Sequence, residues 1–304
     1  MATLIQNEFT DVIHKAFRGG AKKVPSVQGT YPAPKSGQFK IDSKDLKAFT
    51  LLYGKKPATF GIGYGEVAIY WLYNYVEQNR DPDSGFLEKE KILLNQGTNN
   101  PDLKYKRGSK FLEIKAYKDF KDVSLGRFED SLKTFRDLVA PILGVRNILL
   151  SGFVDIMRMN YGQLVEAAEA FCEMRTAIKD HDLDKKYDIF KKMGKRMNEF
   201  DKLAKSVGLG ECAYDSNNPR LGGREIAYKL AQYAIVSATS VKPGKGQFMV
   251  NISGQKGKYD NTNGIKFFQI DPNKITKDEK VLDKGLNFAG GAFKVKFETV
   301  MPLN

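Results

Sequence analysis

The chain has 304 residues, 41% of them hydrophobic, and carries 49 Lys and Arg against 36 Asp and Glu, a net charge of +13. That apolar fraction supports a packed core and argues against wholesale disorder, and the length suits one large domain or a core with a sizeable insertion. The positive surplus suits a polyanionic partner, nucleic acid first, although a merely soluble basic protein would carry it equally well. Two cysteines, Cys172 and Cys212, and two histidines, His14 and His181, leave a structural zinc site hard to build and a disulfide framework unexpected. This fits a reducing, intracellular (cytoplasmic) setting. No run of about 18 apolar residues occurs, so neither a membrane-spanning helix nor a membrane partner is expected. Glu8 and Asp11 fall where a signal peptide would be apolar.

Leu4 to Phe17 has apolar residues at helical spacing and ends at Gly19-Gly20. The stretch from Gly19 to Gly37 holds Lys22, Lys23, Pro25, Pro32, Pro34 and Lys35. It reads as an ordinary ordered loop or as a phosphate-contacting arm, with the loop slightly favoured. Ser43 is expected to cap a short helix through about Leu52. Gly61-Ile-Gly-Tyr-Gly-Glu66 then opens a helix running to about Val76. Its glycines do not form a dinucleotide loop, because Glu66 occupies the sixth position and would repel a pyrophosphate. At helical spacing Glu66 lies in line with Ile69, Tyr70 and Tyr73, on an apolar stripe where an unpaired charge is costly. The plainer account of Glu66 is an acid favouring the helix N-terminus. Asp81-Pro-Asp83-Ser-Gly85 lacks EF-hand spacing and reads as a turn.

Pro101-Asp102 leads toward a turn at Arg107-Gly108-Ser109, after which Lys110 to Tyr117 alternates as a strand. Lys110, Leu112, Ile114 and Ala116 share one face; Phe111, Glu113, Lys115 and Tyr117 share the other. A preceding strand would bring Asp102 to Glu113 and Lys115, so that two carboxylates and an amine converge on one spot. Such a set can hold a hard cation through oxygen with an ammonium beside it. Glu-x-Lys in a strand is otherwise a common solvated face. Further on, a helix is expected over Phe128 to Ile142 and a buried parallel strand over Asn147 to Phe153, together a crossover unit. Gln163 to Val207 suits two charged helices, the second crowded with Lys191, Lys192, Lys195, Arg196, Lys202 and Lys205. A solvated helical hairpin is favoured there over a DNA-gripping helix. Arg224 to Val236 suits another helix, Gln247 to Ile252 and Ile265 to Ile270 a hairpin, and Phe293 to Thr299 a strand.

Pro101, Asp102, Glu113 and Lys115, with Glu66 on a preceding helix, resemble the PD-(D/E)xK phosphodiesterase superfamily, nucleases with a restriction-endonuclease-like core. The resemblance covers about residues 60 to 155. It implies an α/β fold with a mixed central sheet flanked by helices, to which the chain's own patterning adds a helical insertion and a β-containing C-terminal part. The corresponding parts are an N-terminal arm and nuclease-like core over 1–155, a helical segment over 156–240, and a β-containing part over 241–304 able to rejoin the core sheet. The implied activity is Mg²⁺-dependent hydrolysis of DNA phosphodiesters, with Mn²⁺ as a substitute, by an endonuclease of restriction, recombination, repair, viral or mobile-element type. Asp102 and Glu113 would be metal ligands, with the Ile114 carbonyl as a further one, and Glu66 would bind the same ion, a second one, or a metal-bound water. Lys115 would stabilise developing negative charge, a role preferred to general base because the adjacent carboxylates raise its pKa. Lys104, Lys106, Arg107 and Lys110 would contact phosphates or form a solvated hairpin tip. A homodimer is implied because cutting both strands usually needs two sites. The competing reading is a non-catalytic DNA-binding or assembly protein that keeps a nuclease-like core. The intact set of Glu66, Asp102, Glu113 and Lys115 argues against it.

Overall fold

The computed structural model describes residues 2–18, 24–55, 62–76, 92–94, 102–105, 110–117, 123–127, 158–206, 218–238, 247–255, 257–289, 292–301 and 303. The expected helix over 128–142 and strand over 147–153 lie outside these residues, as does the turn at 81–85. The chain divides into two compact units, the first comprising Met1–Val123, Thr239–Asp271 and Pro302–Asn304, the second Ser124–Ala238 and Pro272–Met301. The class is α/β, with a mixed sheet flanked by helices. The C-terminal part treated as one piece in the sequence is shared between the units: 247–269 supplies strands to the first, while 272–301 belongs to the second.

The first unit holds helices α1 (Ala2–Ala16), α2 (Ser43–Tyr53) and α3 (Tyr64–Asn74). Its strands are β1 (Gly37–Phe39), β2 (Ile92–Leu94), β3 (Leu103–Tyr105), β4 (Lys110–Tyr117), β7 (Gln247–Gln255), β8 (Lys258–Tyr259) and β9 (Ile265–Gln269). They form a seven-stranded sheet in the order β1-β9-β7-β4-β3-β2, with β8 paired to β7. The β4–β7 pair is parallel, in register from Phe111 opposite Gln247 to Tyr117 opposite Ser253, and the other recorded pairs are antiparallel. The described parallel neighbour of β4 is thus drawn from far along the chain.

Alternation sorts this sheet into two faces. Leu103, Tyr105, Leu112, Ile114, Phe248, Val250, Ile252, Ile265 and Phe267 share one face and form a single buried cluster with Phe9 and Ile13 of α1, Phe49 and Leu52 of α2, and Val67 to Tyr73 of α3. The opposite face carries Phe111, Glu113 and Lys115, followed across the sheet by Met249, Asn251 and Ser253. The arm ahead of β1 is an ordered strap. The Trp71 indole donates to the Pro25 carbonyl at 3.0 Å, the Tyr73 hydroxyl to Pro32 at 2.8 Å, and Lys110 Nζ to Pro34 at 2.6 Å. Buried Asp45 fastens the same segment, accepting from the amides of Gln28 and Gly29 and from the Tyr31 hydroxyl.

The second unit contains β5 (Val123–Arg127), β6 (Arg158–Asn160), α4 (Tyr161–Asp180), α5 (Leu183–Lys186), α6 (Asp188–Ser206), α7 (Pro219–Ala238), α8 (Glu279–Gly285), β10 (Leu286–Ala289), β11 (Ala292–Val295) and α9 (Phe297–Val300). Its strands are ordered β5-β11-β10-β6. Asn160 caps α4, its side chain accepting from the Gln163 amide at 2.8 Å. Met193, Met197 and Phe200 bury one side of α6, while Lys191, Lys192, Lys195, Arg196 and Lys202 are exposed. The expected strand over Phe293 to Thr299 stops at Val295, and Phe297 begins a short helix.

Candidate active site

The β3–β4 hairpin sets the site. Leu103 pairs with Leu112 in antiparallel register, so one step further along that register Asp102 falls opposite Glu113. Asp102 Oδ2 accepts the Ile114 amide at 2.7 Å, which pins the carboxylate to β4. Glu113 and Lys115 project from the same face, and Lys115 Nζ donates to Glu113 Oε1 at 2.5 Å. Glu113 is 7% exposed, so its end of this charge-assisted bond is shielded from bulk water.

Glu66 arrives from the start of α3. Its Oε1 accepts the Gly63 amide at 2.8 Å, satisfying a helix N-terminal donor. Two glycines make this approach feasible. A Cβ on Gly63 would stand 2.8 Å from Glu66 Oε1, and one on Gly65 would stand 2.7 Å from Ile252 Cδ1 and 3.1 Å from Ile114 Cγ2. The glycine run thus serves close helix–sheet packing and a folded-back carboxylate. Glu66 thus accepts the amide at the start of α3 and lies within electrostatic range of Asp102, Glu113 and Lys115.

Electrostatics tie the four side chains together. Burial, then repulsion from Asp102 and Glu113, pushes the Glu66 carboxyl up to about 8, despite the Gly63 amide and Lys115. Burial, then Asp102, pushes Glu113 up to about 7, against the pull of Lys115. Burial also raises Asp102 above the usual carboxylate range, with Lys115 and the Ile114 amide opposing. Three carboxyl groups thus share one ammonium in a desolvated spot, a charge imbalance that disfavours full ionisation.

As folded here, each carboxylate is turned to a donor from the chain itself: Glu113 to Lys115, Asp102 to Ile114, Glu66 to Gly63. Accordingly, no group of three or more His, Cys, Asp or Glu among the described residues stands ready to hold a metal ion. The donor set nevertheless fits a hard divalent cation: oxygen ligands only, excess negative charge, and carboxyl groups whose mutual repulsion a cation would relieve.

The proposed phosphate contacts diverge. Lys104 is on the Phe111 face of the hairpin, its Nζ 5.6 Å from that ring's centroid. Lys110 points to the other face, where its ammonium is bonded to Pro34 and lies 5.5 Å from the centre of the Phe248 ring. Lys106 and Arg107 lie outside the described residues. Sequence reasoning overlooked Asn251 of β7, which is in register with Lys115, 1% exposed, and has no hydrogen-bond partner on its amide among the described residues. A signal was available: an amide between Val250 and Ile252 interrupts an apolar strand.

Comparison with protein-family models, with curated proteins and with solved structures finds no match to this chain. Among the described residues, no helix is long and apolar enough to cross a membrane.

Proposed function

We propose that the protein is a metal-dependent nuclease that hydrolyses DNA phosphodiesters, with a restriction-endonuclease-like core in its first unit. The observation that carries this reading is the electrostatic union of Glu66, Asp102 and Glu113 with Lys115 at one buried spot of a mixed sheet. The order of elements supports it: an acid at the head of α3, then the Asp102 hairpin, Glu113-x-Lys115 in β4, and a parallel strand beside β4. Glu66, Asp102 and Glu113 would hold Mg²⁺, or Mn²⁺ in its place. A divalent cation supplies charge neutralisation at the phosphate and a more acidic water. Lys115, 27% exposed at its side chain, is accessible to an anion; its ammonium would stabilise charge building on the phosphate oxygens. Its position among the carboxyl groups of Glu66, Asp102 and Glu113 favours this electrostatic role over proton abstraction.

The expected result is cleavage of DNA in Mg²⁺ that stops on adding excess EDTA. Undiminished cleavage in EDTA would exclude the metal mechanism. The absence of a ready-made ligand group among the described residues favours one competitor, a DNA-binding protein that retains this core without catalysis. DNA retention with no cleavage in Mg²⁺ or Mn²⁺ would select that alternative.

A further inference from the structure

Asn251 lies at the centre of β7 at 1% exposure, with neither Oδ1 nor Nδ2 engaged among the described residues. A buried amide with both ends unmet is costly, and an apolar residue would suit a strand flanked by Val250 and Ile252 better. The parallel register sets Asn251 beside Lys115, and parallel neighbours in register project from the same face. The ammonium of Lys115 is held by Glu113 Oε1 at 2.5 Å. A divalent cation on the Glu113 carboxylate would weaken that bond, and the neighbouring amide oxygen of Asn251 would offer the ammonium a neutral acceptor.

We propose that Asn251 is a positioning residue for Lys115, its Oδ1 accepting from Lys115 Nζ once Glu113 is engaged by a divalent cation. The inference rests on the nuclease reading above. A neutral amide oxygen suits the task because it fixes the ammonium without cancelling its charge. Direct contact of Asn251 with a nucleic-acid phosphate is the weaker assignment, since a polyanion cannot reach a side chain so fully buried whereas its neighbour Lys115 can.

The test compares Asn251→Leu, which removes the acceptor at similar volume, with Asn251→Asp, which keeps one. In Mg²⁺ with a DNA duplex, Asn251→Leu should lower kcat about tenfold while KM stays within about twofold. Asn251→Asp, which restores an acceptor but offsets part of the ammonium's charge, should fall between Asn251→Leu and the parent, whereas an amide donating to phosphate would make Asp at least as damaging as Leu. In a Lys115→Met background, Asn251→Leu should cost nothing further. The readout independent of turnover is the Asn251 side-chain amide signal in NMR spectra. Ca²⁺ should shift it in the parent protein and leave it unmoved in Lys115→Met. Should Asn251→Leu fail to fold, Asn251→Val carries the same expectations. Unchanged kcat in a folded variant, or an unmoved amide signal in Ca²⁺-bound protein, overturns the inference while leaving the nuclease reading intact. Ca²⁺ binding without DNA cleavage overturns the nuclease reading, and the amide signal then still decides this one. Failure to bind Ca²⁺ overturns both.

Discussion

Asp102 illustrates how one side chain serves two ends. It fastens the hairpin through the Ile114 amide, and its charge raises Glu66 and Glu113. Replacing it with Ala should lower DNA cleavage by at least about a hundredfold, as losses of charge-organising groups in active sites do. Duplex binding in Ca²⁺ should hold or tighten slightly, because a carboxylate facing phosphate is gone. Wild-type cleavage by a folded Asp102→Ala protein would refute its role. The titration of the cluster makes a second prediction. Glu66 and Glu113 have carboxyl groups raised to about 8 and about 7, from an ordinary value of 4.5. Between those limits the folded state binds more protons than the unfolded chain, so stability falls as pH rises. In EDTA the melting temperature should drop by several degrees between about pH 5 and pH 8. Glu66→Gln, which keeps an oxygen for the Gly63 amide, should flatten that slope. Added Mg²⁺ should stabilise more at the higher pH, because ligation requires the deprotonated carboxylates. A melting temperature that rises with pH and ignores Mg²⁺ would contradict both statements.

Among the elements, two helices depend on glycine for how near they come to their neighbours. α3 lies on β4 and β7 through Gly65, and this closeness carries Glu66 to the hairpin. In the second unit α7 meets α4 at Gly223, where a Cβ would stand 2.5 Å from both the backbone nitrogen and the Cα of Glu169. Backbone cannot yield as a side-chain tip can. Gly223→Ala should therefore destabilise by about 1–3 kcal/mol, the usual scale of overpacking. Helix propensity alone predicts the opposite sign, a gain of about 1 kcal/mol. Chemical denaturation of the variant decides between them.

At the scale of the whole molecule, the net charge of +13 governs association more than fold. Duplex affinity should fall steeply between about 50 and 200 mM salt, as expected when lysines and arginines displace counterions from phosphates. The slope of log affinity against log salt reports how many phosphates are neutralised. Lys110→Ala should leave that slope unchanged, because its ammonium is bonded to Pro34 and packed on Phe248. It should lower stability instead, by loosening the strap from β4. A reduced salt slope without loss of stability would return Lys110 to the phosphate contacts.

The local pattern was legible because it has short range. Strand parity fixed Glu113 and Lys115 on one face of β4, and the glycine-led start of α3 identified Glu66 as an acid on an apolar helix. The spacing from Asp102 to Glu113 suits the hairpin register that sets them opposite each other. Lys104 and Lys110 were separable by the same parity, yet only the fold revealed that Pro34 claims the Lys110 ammonium. The parallel neighbour of β4 could not be read locally. The described one, β7, begins 130 residues after the last residue of β4. Loop closure costs grow only slowly with length, so the chain's order scarcely restricts which distant strand completes a sheet. Asn251 acquired meaning only through that pairing, which sets an amide beside Lys115. Sequence determined the chemistry each strand could offer; tertiary pairing decided which chemistries became neighbours, because hydrogen-bonded register between distant strands has no local signature.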